Sequence, residues 1–177
     1  MFLFMLGSVE KMDAYEALKT VKEYICSKDS AVVCTGTELR SDDKVGLLFC
    51  ERIEELAKEK EIALIKCPYG LENCLNELIN VKPKKLLLID ACLPSQKIER
   101  PFVIADLNSV TANYLATTHN IPITITLGYL RMNNVAQEVK FLGIVAHNLE
   151  FGEELSEKVE RALNELVEGF KEILKEC

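Results

Sequence analysis

Lys85-Leu-Leu-Leu-Ile-Asp90 is a nearly unbroken apolar run that stops on a carboxylate. A sheet with one wet face alternates apolar and polar residues, so a run without alternation suits a strand covered on both faces, as in a parallel sheet with helices above and below. The same grammar repeats outward from it. Ala31 to Thr35 is a second short apolar run, closed by the turn and polar stretch Gly36-Thr-Glu-Leu-Arg-Ser-Asp-Asp43. Val45, Leu48, Ile53 and Leu56 then recur at helical spacing to about Lys60, and Ile62 to Cys67 returns to strand character before Pro68-Tyr69-Gly70. Leu71 to Val81 reads as a helix, Phe102 to Leu107 and Val139 to Val145 as strands, and Leu155 to Leu174 as a long closing helix. Alternating elements of these lengths predict an α/β fold with a mostly parallel sheet, whose ligands sit in the crevice at the strand carboxyl ends.

Before this core, Asp13 and Glu16 form a capping-box-like start, and Ala14, Leu18, Val21 and Ile25 continue at helical spacing to about Ser27. The chain is therefore divided into an N-terminal helical extension, 1–30, and a single α/β domain, 31–177. A length of 177 residues supports one domain, in which about 70% of the extended chain's surface could be buried without staples. Ile121-Pro-Ile-Thr-Ile-Thr-Leu127 alternates like a strand, yet Asn120 followed by Pro122 resembles a helix start, and periodicity leaves both open.

Composition removes several function classes. Lys and Arg number 21 against 28 Asp and Glu, a net charge of −7 that repels a phosphate backbone, so nucleic acid is not an expected partner. Long uncharged apolar runs are missing, so no stable membrane insertion is expected. The apolar opening Met1 to Gly7 lacks a basic flank and a small-residue cleavage site, which argues against a secretory leader; Met12 stands as an alternative start. The seven cysteines contain no Cys-x-x-Cys pair and predict neither a disulfide framework nor a zinc ribbon. They are expected to be mostly small buried thiols in a reducing cytoplasm.

Three acids and one histidine could carry chemistry. Asp42-Asp43 lies just before a helix, where carboxylates commonly cap, but adjacent acids beyond a parallel strand can also hold a cation. Asp90 is delivered by its strand to the same sheet edge. His119, in Thr117-Thr-His-Asn-Ile-Pro122, would add an imidazole, and such a mixed oxygen and nitrogen set suits nickel, cobalt or zinc better than magnesium. His147, in Val145-Ala-His-Asn148, reads as a loop residue. Serine-hydrolase, zincin and P-loop patterns are missing from the sequence.

These residues resemble the hydrogenase maturation proteases, endopeptidases that trim the large subunit of nickel-iron hydrogenases. Cys34-Thr-Gly-Thr-Glu-Leu-Arg-Ser-Asp-Asp43 is similar to that family's Gly-x-Gly-Asn strand-turn with its spacer and acidic pair. Leu86-Leu-Leu-Ile-Asp-Ala91 is similar to its second acidic strand, Thr117-Thr-His-Asn-Ile-Pro122 to its histidine segment, and Phe141-Leu-Gly-Ile144 to its last strand. Glu72-Asn73 and the Thr-Thr-His-Asn wording resemble the branch serving membrane-bound, energy-converting hydrogenases. The resemblance implies a three-layer α/β/α sandwich, a helix after Asn120, and a nickel contact made by Asp43, Asp90 and His119. It further implies that the partner is a large-subunit precursor whose C-terminal extension is cut after nickel insertion, with Asp43 and Asp90 catalytic and no covalent nucleophile. A metal-polarised carbonyl or metal-activated water, with a carboxylate handling protons, is the expected chemistry.

Cys34 and Thr37 stand where the family usually has glycine and asparagine, and Lys44 where glycine usually follows the acids. Two alternatives accompany this reading. One is a metal-binding relative that does not cleave. The other is a receiver-like regulatory domain, in which an acidic pair and a strand-end aspartate hold magnesium; the missing lysine-proline after the last strand and the distance of the acidic pair from its strand count against it.

Overall fold

The computed structural model describes residues 2–4, 10–94, 100–108, 115–117 and 122–177. In chain order the elements are β1 (Phe2–Phe4), β2 (Glu10–Met12), α1 (Ala14–Thr20), α2 (Lys22–Cys26) and β3 (Ser30–Gly36). A 3-10 turn, Ser41–Lys44, leads into α3 (Val45–Glu59), then β4 (Ala63–Pro68); a second, Leu71–Cys74, leads into α4 (Leu75–Val81). The remainder is β5 (Lys85–Pro94), β6 (Phe102–Asp106), β7 (Leu115–Thr117), α5 (Ile123–Met132), β8 (Glu138–Val145) and α6 (Glu157–Lys175).

β4, β3, β5 and β8 run parallel in that order. β6 adds antiparallel to β8, and β2 antiparallel to β6. Where β3 turns away at Gly36, β1 takes over the vacated flank of β5, pairing Phe2 with Cys92, and on its other side meets β7 antiparallel. The unbroken apolar runs are explained by two cores. Successive residues of a strand point to opposite faces. Leu87, Ile89 and Ala91 of β5 therefore join a core with α1, α2, α3 and α6, where Phe49 and Phe170 meet edge to face at 5.5 Å. Leu86, Leu88 and Cys92 join the other, with α4 and α5. This is the α/β/α sandwich.

Of the stretch 121–127, open between strand and helix, residues 123–127 lie in α5: Pro122 precedes its first turn, and Ile123, Leu127 and, further on, Leu130 are buried against the second core, while Ile121 lies outside the described residues. Asp13 and Glu16 do form a capping box on α1, although the helix breaks at Val21. Segment 1–30 is more than helical, since β1 and β2 pair within the main sheet, and Leu18, Val21, Tyr24 and Ile25 lie in the same core as β5.

The cysteines correct the expectation of buried thiols. Cys26 pairs with Cys177, Cys34 with Cys50 and Cys67 with Cys74, leaving Cys92 as the free, buried cysteine. The reason is that spacing rules see only local patterns, while these partners lie 151, 16 and 7 residues apart and are joined by packing. Among the described residues, no helix is long and apolar enough to cross a membrane.

Candidate active site

The chain's unusual chemistry gathers at the carboxyl edge of the parallel strands. β3 ends at Gly36, whose φ of +150° is open to glycine; a Cβ there would lie 2.2 Å from the carbonyl oxygen of Asp43. The backbone N–H of Thr37 donates to that same oxygen at 3.3 Å, and the N–H of Tyr69, beyond β4, donates to the Gly36 carbonyl at 2.8 Å. Gly46 closes the clasp from above. A Cβ on it would stand 2.3 Å from the Thr35 carbonyl oxygen and 3.3 Å from the Asp90 Cα, so the first turn of α3 sits directly on the end of β3 and on the middle of β5, where β3 leaves it. Larger residues at 36 and 46 would push the acidic turn off the sheet.

This clasp brings Asp43 and Asp90 to one edge, 4% and 0% exposed. The 3-10 turn carrying Asp43 packs against β5. Asp90 continues the alternation of Leu86 and Leu88 onto the α4 and α5 face, and its Oδ1 accepts from the Ala91 N–H at 2.7 Å. α5 begins at Ile123 on the same face, and His119 lies outside the described residues. Among the described residues, no group of three His, Cys, Asp or Glu side chains is placed to hold a metal.

Asp42 has a different employment. Neither member of the acidic pair is the N-cap of α3, which is Lys44, with no side-chain capping bond. Fully buried, Asp42 instead accepts at Oδ2 from the backbone N–H groups of His147 and Asn148, at 2.8 and 2.7 Å, and from the Ser156 hydroxyl at 2.9 Å. Its Oδ1 accepts from the Ser156 N–H at 2.7 Å. One carboxylate thus ties the loop after β8 to the start of α6. His147 is the loop residue expected, contributing its backbone here.

Thr35 is a residue the motif contains but residue-type reasoning passes over. It follows Val33 onto the α4 and α5 face, one step beyond the Cys34 to Ile89 pairing and so beside Asp90. It is 1% exposed, and its hydroxyl makes no hydrogen bond among the described residues. A buried hydroxyl costs about 1–3 kcal/mol if left so, which marks it as available to something bound at this edge. The signal available in sequence was parity with Val33. Cys92, two residues past Asp90, is no nucleophile: burial, then the charge of Asp90, pushes its thiol far up, keeping it protonated. Two non-glycine residues flank the edge with positive φ, Ser41 at 30° and Tyr69 at 66°, conformations the surrounding fold has to enforce.

The model of a family described as HycI, hydrogenase maturation protease, matches residues 48–173. That match begins just past the acidic pair, so it spans Asp90 and His119 while Asp43 rests on the geometry above. Among solved structures, the chain is similar to a [NiFe] hydrogenase maturation protease HycI from Thermococcus kodakarensis KOD1, at 26% identity over 82% of this chain and 91% of that one, with a TM-score of 0.70. It shares its fold with an endopeptidase HycI from Escherichia coli, 24% identical over 78% and 86% of the two chains, TM-score 0.64. The fold also matches a hydrogenase maturating endopeptidase HybD from E. coli, 18% identical over 82% and 91%, TM-score 0.62. No curated protein matches the sequence.

Proposed function

The chain belongs to the hydrogenase maturation protease family and is a peptide-bond hydrolase, and from that premise we propose that it removes the C-terminal extension of a nickel-iron hydrogenase large-subunit precursor. Nickel already seated in the precursor is the recognition element, met by Asp43, Asp90 and His119. The observation that carries this reading is the delivery of two buried carboxylates, Asp43 and Asp90, to one sheet edge by the Gly36 and Gly46 contacts.

Donor chemistry supports the fit. Carboxylates close together are relieved by a cation or a shared proton, and adding an imidazole favours nickel or zinc over magnesium. The Thr35 hydroxyl, buried beside Asp90, offers a further oxygen to the same edge. The ion, when present, supplies Lewis-acid polarisation of a carbonyl. The protein's part is to hold position: Gly36 and Gly46 fix the acidic turn, the Asp42 bonds fix the neighbouring loop, and Asp43 or Asp90 accepts the proton released as water attacks the scissile bond. A peptide cut in this way needs no side-chain nucleophile, consistent with the protonated Cys92 thiol.

Incubating the protein with nickel-loaded and nickel-free precursor, read by intact mass, tests the reading. Only the loaded precursor is expected to lose its extension, and Asp90→Asn and His119→Ala are each expected to abolish the cut while leaving the circular dichroism spectrum unchanged. Equal processing of nickel-free precursor would remove nickel as the recognition element. Processing by both variants would remove the assigned residues.

A further inference from the structure

Beside the acidic turn, on the α3 side of the sheet, lies a groove of about 730 Å³, within the roughly 300–1,000 Å³ range of ligand pockets. Its floor is Leu47 and Leu48 of α3, and its walls carry Leu39 and Phe151, 58% and 77% exposed. Apolar side chains held this far into water are costly unless something covers them. The walls are also fixed in advance. The Gly152 N–H donates to the Leu39 carbonyl at 3.3 Å, the Ser41 N–H to the Gly152 carbonyl at 2.9 Å, and the Arg40 guanidinium lies 4.9 Å from the Phe151 ring centroid. A preformed groove spares its occupant the cost of ordering the walls.

The rim decides what the occupant is. Glu38, Glu51 and Glu153 line it together with Lys44, and a second cation, Arg40, is engaged on the Phe151 ring, so the balance is three acids to two cations. Glu51 stands 3.8 Å from Lys66, whereas Glu38 and Glu153 make no ion pair among the described residues. A second copy of this chain, at a net charge of −7, would bring acid against acid. A segment with apolar side chains for the floor and basic ones for the rim is complementary. Lys44 follows Asp43 directly, so a peptide lying in the groove runs within one residue of the acidic turn.

We propose that this groove holds the precursor's C-terminal extension, as an extended segment that seats apolar side chains on Leu39, Leu47, Leu48 and Phe151 and sets Lys or Arg against Glu38 and Glu153. The inference rests on the protease reading and names the part of the substrate recognised outside the candidate centre. Anchoring here positions the scissile bond with binding energy from residues that do not react.

The test is fluorescence anisotropy with a synthetic, labelled extension peptide from the large-subunit precursor of the same organism, and a second peptide with its Lys and Arg replaced by Glu. The native peptide is expected to bind, with affinity falling as salt rises. The acidic peptide, and the Glu38→Lys/Glu153→Lys protein, should each bind about tenfold more weakly or worse. With whole precursor, the same protein variant should raise KM rather than lower kcat. Equal binding by variant and parent, an extension without basic residues, or self-association lost in the variant in place of peptide binding would each overturn the assignment. Binding needs no cleavage, so the two readings fail separately. Peptide held in the groove without processing keeps the groove and drops the protease; processing with KM unmoved keeps the protease and drops the groove.

Discussion

The two ends of the parallel strands at the centre of the sheet are held by different physics. At the amino edge the connections are exposed ion pairs and a covalent staple. Lys84 meets Asp29 at 2.9 Å, Lys85 meets Glu23 at 2.7 Å, Lys22 meets Glu176 at 3.0 Å, and Cys26 is bonded to Cys177. At the carboxyl edge the connections are buried: the Asp42 carboxylate with its loop donors, the close backbone approaches at Gly36 and Gly46, and Asp43 and Asp90 taken out of water. Exposed pairs are adaptable and individually weak, whereas buried polar networks are rigid and expensive to disturb. The edge that carries Asp43 and Asp90 is the one built from the second kind.

The contrast can be broken first at Asp42. Asp42→Ala would strip a fully buried acceptor from three part-buried backbone N–H groups and a hydroxyl, and is expected to cost about 3 kcal/mol, lowering the melting temperature by roughly 10 °C. A calorimetric loss under about 1 kcal/mol would mean that the carboxyl edge is not held by this carboxylate. The staple comes next. Cys26→Ser with Cys177→Ser opens a cross-link spanning 151 residues and should cost about 3 kcal/mol in denaturant melts under oxidising conditions, with no difference from the parent once both are reduced. Smallest is Lys84→Ala, on a side chain 70% exposed, expected to change stability by less than about 1 kcal/mol and by less still at high salt. A Lys84→Ala loss comparable to that of Asp42→Ala would erase the distinction between the edges.

Much of the layout was legible because burial leaves a periodic trace. Lys85 to Asp90 reads as a strand covered on both faces because it is one, its residues dealt alternately to two cores. The strand does not stop at Asp90, as its sequence suggested: β5 runs on to Pro94, and Asp90 reaches the edge because β3 ends its pairing with β5 at Ile89, a tertiary circumstance. The 121–127 stretch was not decidable by pattern, since Ile, Thr and Leu at alternate positions suit either element; packing of Ile123, Leu127 and Leu130 against the second core selects the helix. Capping, a local rule, suggested itself for Asp42-Asp43, but the donors that Asp42 takes come from His147, Asn148 and Ser156, over a hundred residues further along.

The order of elements, the buried character of the central strands, the acidic balance and the residues that carry the family resemblance were determined by the sequence alone, because each is a property of neighbours along the chain. Tertiary structure decided which acid of the pair braces a loop and which reaches the site edge, which cysteines bond, and that Thr35 lies beside Asp90. Those outcomes depend on partners brought together from 7 to 151 residues away, and a one-dimensional pattern carries no distance between them.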